Sequence, residues 1–66
     1  MKIFINKEIT QVPSKSTIDS VIQTLEVNKK YIAVEINEVI IPKSQYEKYI
    51  INENDKIEII NAVGGG

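Results

Sequence analysis

The chain has no cysteine, no histidine and no arginine. Without the first two, thiol nucleophiles, disulfides, most zinc sites and an imidazole general base are excluded together. Without arginine, the chain has no planar fork with which to clamp a phosphate or carboxylate bidentately. Eight lysines against nine acids give a net charge of -1. The lysines are scattered, with Lys29-Lys30 the one adjacent pair, so the clustered basic excess of a nucleic-acid binder is missing. No apolar run approaches membrane-spanning length. The opening Met1-Lys2-Ile3-Phe4-Ile5-Asn6 is too short an apolar stretch for a signal peptide, so a cytoplasmic protein is expected. Glycine is withheld from every internal turn: all three glycines stand at the end, in Ala62-Val63-Gly64-Gly65-Gly66.

What remains is one small domain. With 66 residues a core is marginal and an internal active-site cavity has little room. No nucleophile-base pair, phosphate loop or metal constellation is visible, so no catalytic residue is assigned and an enzyme is the least favoured class. Asn52-Glu53-Asn54-Asp55 lacks the glycine and terminal glutamate of a calcium loop. It reads as a turn, with Glu35, Glu38, Glu53, Asp55 and Glu58 as solvated charge. Tyr31, Tyr46 and Tyr49 read as packing groups at the edge of the core.

Local patterns give the element order. Residues 2–6 and 9–12 read as strands around an Asn6-Lys7-Glu8 turn, ended by Pro13. Thr17 is a candidate N-cap, with Asp19 in the first helical turn. Ile18, Val21, Ile22 and Leu25 follow the spacing of one buried helix face. Val27 to Lys30 reads as the helix exit. Tyr31 to Ile36 and Val39 to Ile41 form a second hairpin about Asn37-Glu38. Ser44 to Tyr49 is a short turn of helix or a loop, and Lys56 to Asn61 is the last strand. The expected fold class is α+β, a β-grasp: a mixed sheet of about five strands packed on one main helix. Its first and last strands should be the central parallel pair, joined to the rest by a right-handed crossover. Residues 1–61 form the domain and residues 62–66 a flexible C-terminal glycine arm.

Alternation then assigns faces. If Ile3, Ile5, Ile57 and Ile59 face the helix, Phe4 and Ile60 lie on the open face of adjacent strands. They are the candidate docking patch for a partner, set against the plain reading of exposed apolar side chains. The terminal run is the most informative feature. It is either a frayed end or an arm whose last residue enters another protein's active site. Glycine lacks Cβ, so such an arm can thread a narrow channel, and five extended residues reach at most about 17 Å. An α-carboxyl with a pKa of about 3.3–3.7 is ionised at neutral pH and can attack an activated phosphate. No residue of this chain can catalyse that step, so an ATP-using partner is required.

The sequence resembles the sulfur carrier proteins of thiamine biosynthesis, the ThiS family. The resemblance runs through Met1-Lys2-Ile3-Phe4-Ile5-Asn6, Thr17-Ile18, Ala33-Val34-Glu35-Ile36-Asn37 and Val39-Ile40-Ile41-Pro42. It ends with Asn54-Asp55-Lys56-Ile57-Glu58-Ile59 and Val63-Gly64-Gly65-Gly66. It implies that an E1-like adenylyltransferase of the ThiF type, using ATP and magnesium, adenylates the Gly66 carboxylate. A persulfide from a sulfur relay then leaves a thiocarboxylate on Gly66, and a thiazole synthase of the ThiG type accepts the sulfur. Val63, Gly64 and Gly65 are then the arm that enters the partners' sites. Two rival readings share the glycine end: the small subunit of molybdopterin synthase, and a ubiquitin-like modifier conjugated through Gly66. A third is an interaction domain whose tail is irrelevant.

Overall fold

The computed structural model describes residues 1–61. The expected order is present: β1 (Lys2–Ile5), β2 (Glu8–Gln11), α1 (Ile18–Leu25), β3 (Ile32–Ile36), β4 (Val39–Ile41) and β5 (Lys56–Asn61). Single 3-10 turns at Lys29–Tyr31 and Lys43–Gln45 occupy the helix exit and the segment after β4. The strands form one sheet in the order β2-β1-β5-β3-β4, with β5 in the middle and parallel to β1. The other three pairings are antiparallel. This is the β-grasp arrangement.

The helix forms where the sequence can both start it and bury one face. The Thr17 hydroxyl accepts from the Ser20 amide at 3.1 Å and Ser20 Oγ accepts from the Thr17 amide at 3.0 Å, a reciprocal cap. The Ile18 and Asp19 amides, which no helical carbonyl can reach, donate to the carbonyls of Tyr49 (3.2 Å) and Tyr46 (2.9 Å). The segment between β4 and β5 is thereby pinned across the start of α1. Ile18, Val21 and Ile22 are buried as the spacing requires, but Leu25 is 38% exposed. The helix stops one residue later, at a left-handed Glu26, before Leu25 can be covered.

Except for Tyr46, every buried apolar side chain of the core is isoleucine or valine. These stiff branched side chains suit a pleated surface. Two expectations are corrected here. Tyr46 is no edge group: it is 1% exposed, lodged under the helix start. Asp55 is not solvated charge. It is buried, and its carboxylate accepts from the Asn52 amide at 2.8 Å and from Asn37 Nδ2 at 3.0 Å. Each of its oxygens thus has a donor, which a buried carboxylate requires.

Glycine's absence from the turns has a visible consequence. Asn6, Lys7, Lys15, Glu26, Asn37, Glu38 and Asn54 all take positive φ, between 49° and 71°. Both hairpins turn on two such residues in succession, Asn6-Lys7 and Asn37-Glu38, as two-residue primed turns demand. Asparagine tolerates this region better than other L-residues. In both turns it stands first and its side chain reaches β5. Asn6 Oδ1 accepts from the Ile59 amide at 2.8 Å, and Asn37 Oδ1 accepts from the Lys56 amide at 3.0 Å.

Candidate functional site

β5 carries the chain toward its glycine end, so its support decides where that end is presented. On one side it pairs with β3 from Ile36↔Ile57 to Ile32↔Asn61. On the other it pairs with β1 at Phe4↔Lys56 and Ile5↔Ile57. A central strand held from both sides is a rigid base for an appended segment. The residues on which the sequence places the chemistry, Gly66 with Gly65, Gly64 and Val63, lie outside the described residues.

The two docking residues lie within them. Both point away from the helix: Ile60 is about half exposed and Phe4 is partly covered. Their strands are adjacent, but Phe4 is level with Lys56 and Ile60 stands four residues further along β5. At about 3.3 Å per residue that is a separation of about 13 Å, with Glu58 between them on the same face. They therefore form two apolar islands. Ile9 sits opposite Phe4 on β2, Ala33 opposite Ile60 on β3, and the exposed Ile40 opposite Glu35. Ile9 and Ile40 went unremarked in the sequence. The same alternation, carried across the two hairpins from β1 and β3, assigns them to this face.

Charge on the open face is mixed. Lys2 Nζ lies 5.3 Å from the centre of the Phe4 ring, within cation–π range. A cleft of about 560 Å³ is lined by Phe4, Lys7, Asn37, Glu38, Lys56 and Glu58. It opens at the start of β5, about 16 Å along the strand from Asn61. It therefore lies at the opposite end of β5 from Asn61, the last described residue. Among the described residues there is no group of side chains that could hold a metal ion, and no buried side-chain polar atom lacks a hydrogen-bond partner. No helix among them is long and apolar enough to cross a membrane. The described residues thus supply a scaffold and a face, with no cluster of reactive side chains.

Comparison with known proteins bears on that arrangement. The model of the ThiS family matches residues 2–66, through the last glycine. A thiazole synthase from Paramagnetospirillum magneticum is 38% identical over 66 residues, covering all of this chain and 20% of that protein. The chain therefore spans about a fifth of the length of that relative. The sulfur carrier protein ThiS of Escherichia coli is 26% identical, with both chains covered completely. A crystal structure of the thiamine biosynthesis protein ThiS from Geobacter metallireducens superposes with a TM-score of 0.84 over the whole of both chains, at 20% identity. At that identity the likeness establishes the shared fold.

Proposed function

The chain belongs to the ThiS family, and from that premise we propose that it carries sulfur for thiazole formation in thiamine biosynthesis, on the carboxylate of Gly66. The observation that carries the proposal is the match to the family over residues 2–66, which takes in the whole glycine run. The complete two-way coverage with the Escherichia coli sulfur carrier protein supports the same reading.

In this reading a ThiF-type adenylyltransferase binds ATP and magnesium. A Gly66 carboxylate oxygen attacks the α-phosphorus and pyrophosphate leaves, giving a mixed anhydride with AMP. The terminal sulfur of a persulfide attacks the Gly66 carbonyl carbon and AMP leaves. A thiol then cleaves the sulfur–sulfur bond reductively, and the thiocarboxylate remains. A ThiG-type thiazole synthase takes the sulfur. The presence of a segment similar to this chain within a thiazole synthase fits a working relationship between the two activities. This chain contributes the arm of Val63, Gly64 and Gly65, the open face with Phe4 and Ile60, and no catalytic side chain.

Intact mass tests the proposal. The chain is incubated with ATP, magnesium, a ThiF-type enzyme and a persulfide donor. The expected product has one oxygen replaced by sulfur, located on Gly66 by fragmentation, and deletion of Gly65-Gly66 abolishes it. Adducts on lysine in place of the sulfur product would instead establish a conjugated modifier.

A further inference from the structure

Two residues hold a left-handed conformation that glycine would take without strain, and both line one cleft. Lys7 and Glu38 each stand second in a two-residue turn, at φ of 71°. The cleft they share with Phe4, Asn37, Lys56 and Glu58 encloses about 560 Å³, a volume that suits a small molecule. Its walls are pinned to β5. Asn6 Oδ1 accepts from the Ile59 amide at 2.8 Å, and Asn37 Oδ1 accepts from the Lys56 amide at 3.0 Å. Asn37 Nδ2 also donates to the buried Asp55 carboxylate at 3.0 Å. The side chains of Lys7, Glu38, Lys56 and Glu58 have no hydrogen-bond or ion-pair partner among the described residues, whose one salt bridge joins Lys29 to Asp19. Two charges of each sign thus meet in a preformed cleft, two of them on strained backbone, and the fold uses none of them. Strain kept without a folding reason points to a function.

We propose that this cleft binds a small zwitterion of the α-amino-acid class with an aromatic side chain. Charge sets the class. A lone anion would meet two repelling carboxylates and a lone cation two repelling ammonium groups, whereas a ligand carrying one charge of each sign finds a partner for both. Spacing agrees. Lys56 and Glu58 share a face of β5 two residues apart, about 7 Å along the strand. The ammonium nitrogen and carboxylate carbon of an α-amino acid stand about 2.5 Å apart, and a charge-assisted bond of about 2.8 Å at each end extends that to about 8 Å. Lys7 and Glu38 add a second charge of each sign from the walls. Phe4 is level with Lys56 on the neighbouring strand, and its partly covered ring offers the apolar contact for the ligand's ring.

Titration of the full chain, followed in proton–nitrogen correlation spectra, tests this. L-phenylalanine is the probe. Phenylpropionate lacks its ammonium group and phenethylamine lacks its carboxylate. L-phenylalanine should give saturable shifts at the amides of Phe4, Lys7, Glu38, Lys56 and Glu58, with a Kd of about 1 mM. Each single-charge analogue should bind at least about fivefold more weakly, and so should L-phenylalanine to Lys56→Gln or Glu58→Gln. Lys48→Gln removes a charge outside the cleft and should leave the Kd unchanged. Lys7→Gly and Glu38→Gly should melt no lower than the parent yet bind more weakly, which separates a ligand contact from a loss of fold. Absence of saturation by about 20 mM, equal affinity for the analogues, or shifts centred outside the cleft overturns the site. Equal weakening in Lys48→Gln overturns it as well, since the effect would then be one of net charge.

Discussion

Asp19 shows how one partly buried residue joins three local causes. It sits in the first turn of α1, where negative charge opposes the helix dipole favourably. Its Oδ1 accepts from Lys29 Nζ at 2.9 Å, and its Oδ2 accepts from Gln23 Nε2 at 2.8 Å. The Lys29 bond, followed by that from Gln23, holds the Asp19 carboxyl below the ordinary aspartate range, and Lys29 is raised by the same bond. The signs follow by linkage. A carboxyl depressed in the folded state adds stability that is complete above its unfolded value, near about 3.9, and is lost as pH falls through the folded value. The raised lysine adds stability that is complete below its unfolded value, near about 10.4, and is lost as pH rises through the folded one. Asp19→Asn should therefore melt below the parent at pH 6, and the gap should close as the pH approaches 2. Melting curves across that range check it; a gap that stays constant with pH would assign the effect to packing. The Lys29 end of the pair is half exposed, so the effect is small and weakens with salt.

At the scale of elements the turns are the weak joints. Lys7 and Glu38 are each the second of two left-handed residues in a hairpin, at φ of 71°. A residue with Cβ is strained there by about 1–2 kcal/mol, and glycine is not. Glycine also gives the unfolded chain more freedom, which takes back about 0.4–1 kcal/mol. The net expectation for Lys7→Gly or Glu38→Gly is about 0.5 kcal/mol of added stability, a rise of a few degrees in melting temperature for a domain of this size. The two residues stand in separate hairpins but line the same cleft, so the double variant also shows whether their effects couple. Denaturant midpoints of the two single variants and the double variant measure this. A fall in either single variant would show that its side chain does something in the turn beyond tolerating it.

The same elements show what the sequence made legible. Hairpin positions, the Thr17 cap and the buried Ile18, Val21 and Ile22 depend on neighbours in the chain or on simple periods, and these were readable. Tyr46 and Asp55 were not. Their burial comes from a segment with no period, folded across the start of α1 and anchored through residues far away in sequence, such as Asn37. Asn6 and Asn37 were legible as turn residues but not as ladder partners of β5. The partners of Asn6 and Asn37 lie 53 and 19 residues along the chain, and only the closed sheet brings them together. The open face was half legible. Its parity was readable, but the offset between Phe4 and Ile60 depends on the β1–β5 register, which no local pattern encodes.

For the whole molecule that offset gives the two candidate docking residues unequal roles. A partner that draws Gly66 into its active site works within about 17 Å of Asn61, the reach of five extended residues. Ile60 adjoins Asn61, whereas Phe4 lies about 13 Å further back along the sheet. Any enzyme engaging the arm must therefore pass close to Ile60, and covers Phe4 only if its footprint extends along the open face. Ile60→Ser should raise KM for the adenylating enzyme about fivefold, the consequence of losing about 1 kcal/mol of apolar contact. Phe4→Ser should raise it less, and kcat should hold in both. Val39 is similarly exposed but lies on the opposite face at the β4 edge, across from the buried Ile36, so Val39→Ser should leave KM unchanged. Substitutions at the exposed Ile60 and Val39 cost little stability and one at the partly covered Phe4 costs more, so the melting temperature of each variant is measured beside its KM. If Val39→Ser and Ile60→Ser raise KM alike, the open face is not where the enzyme docks. If Phe4→Ser has the larger effect, the footprint is centred on the cleft at the start of β5, and the arm must approach the active site from beyond the edge of the contact.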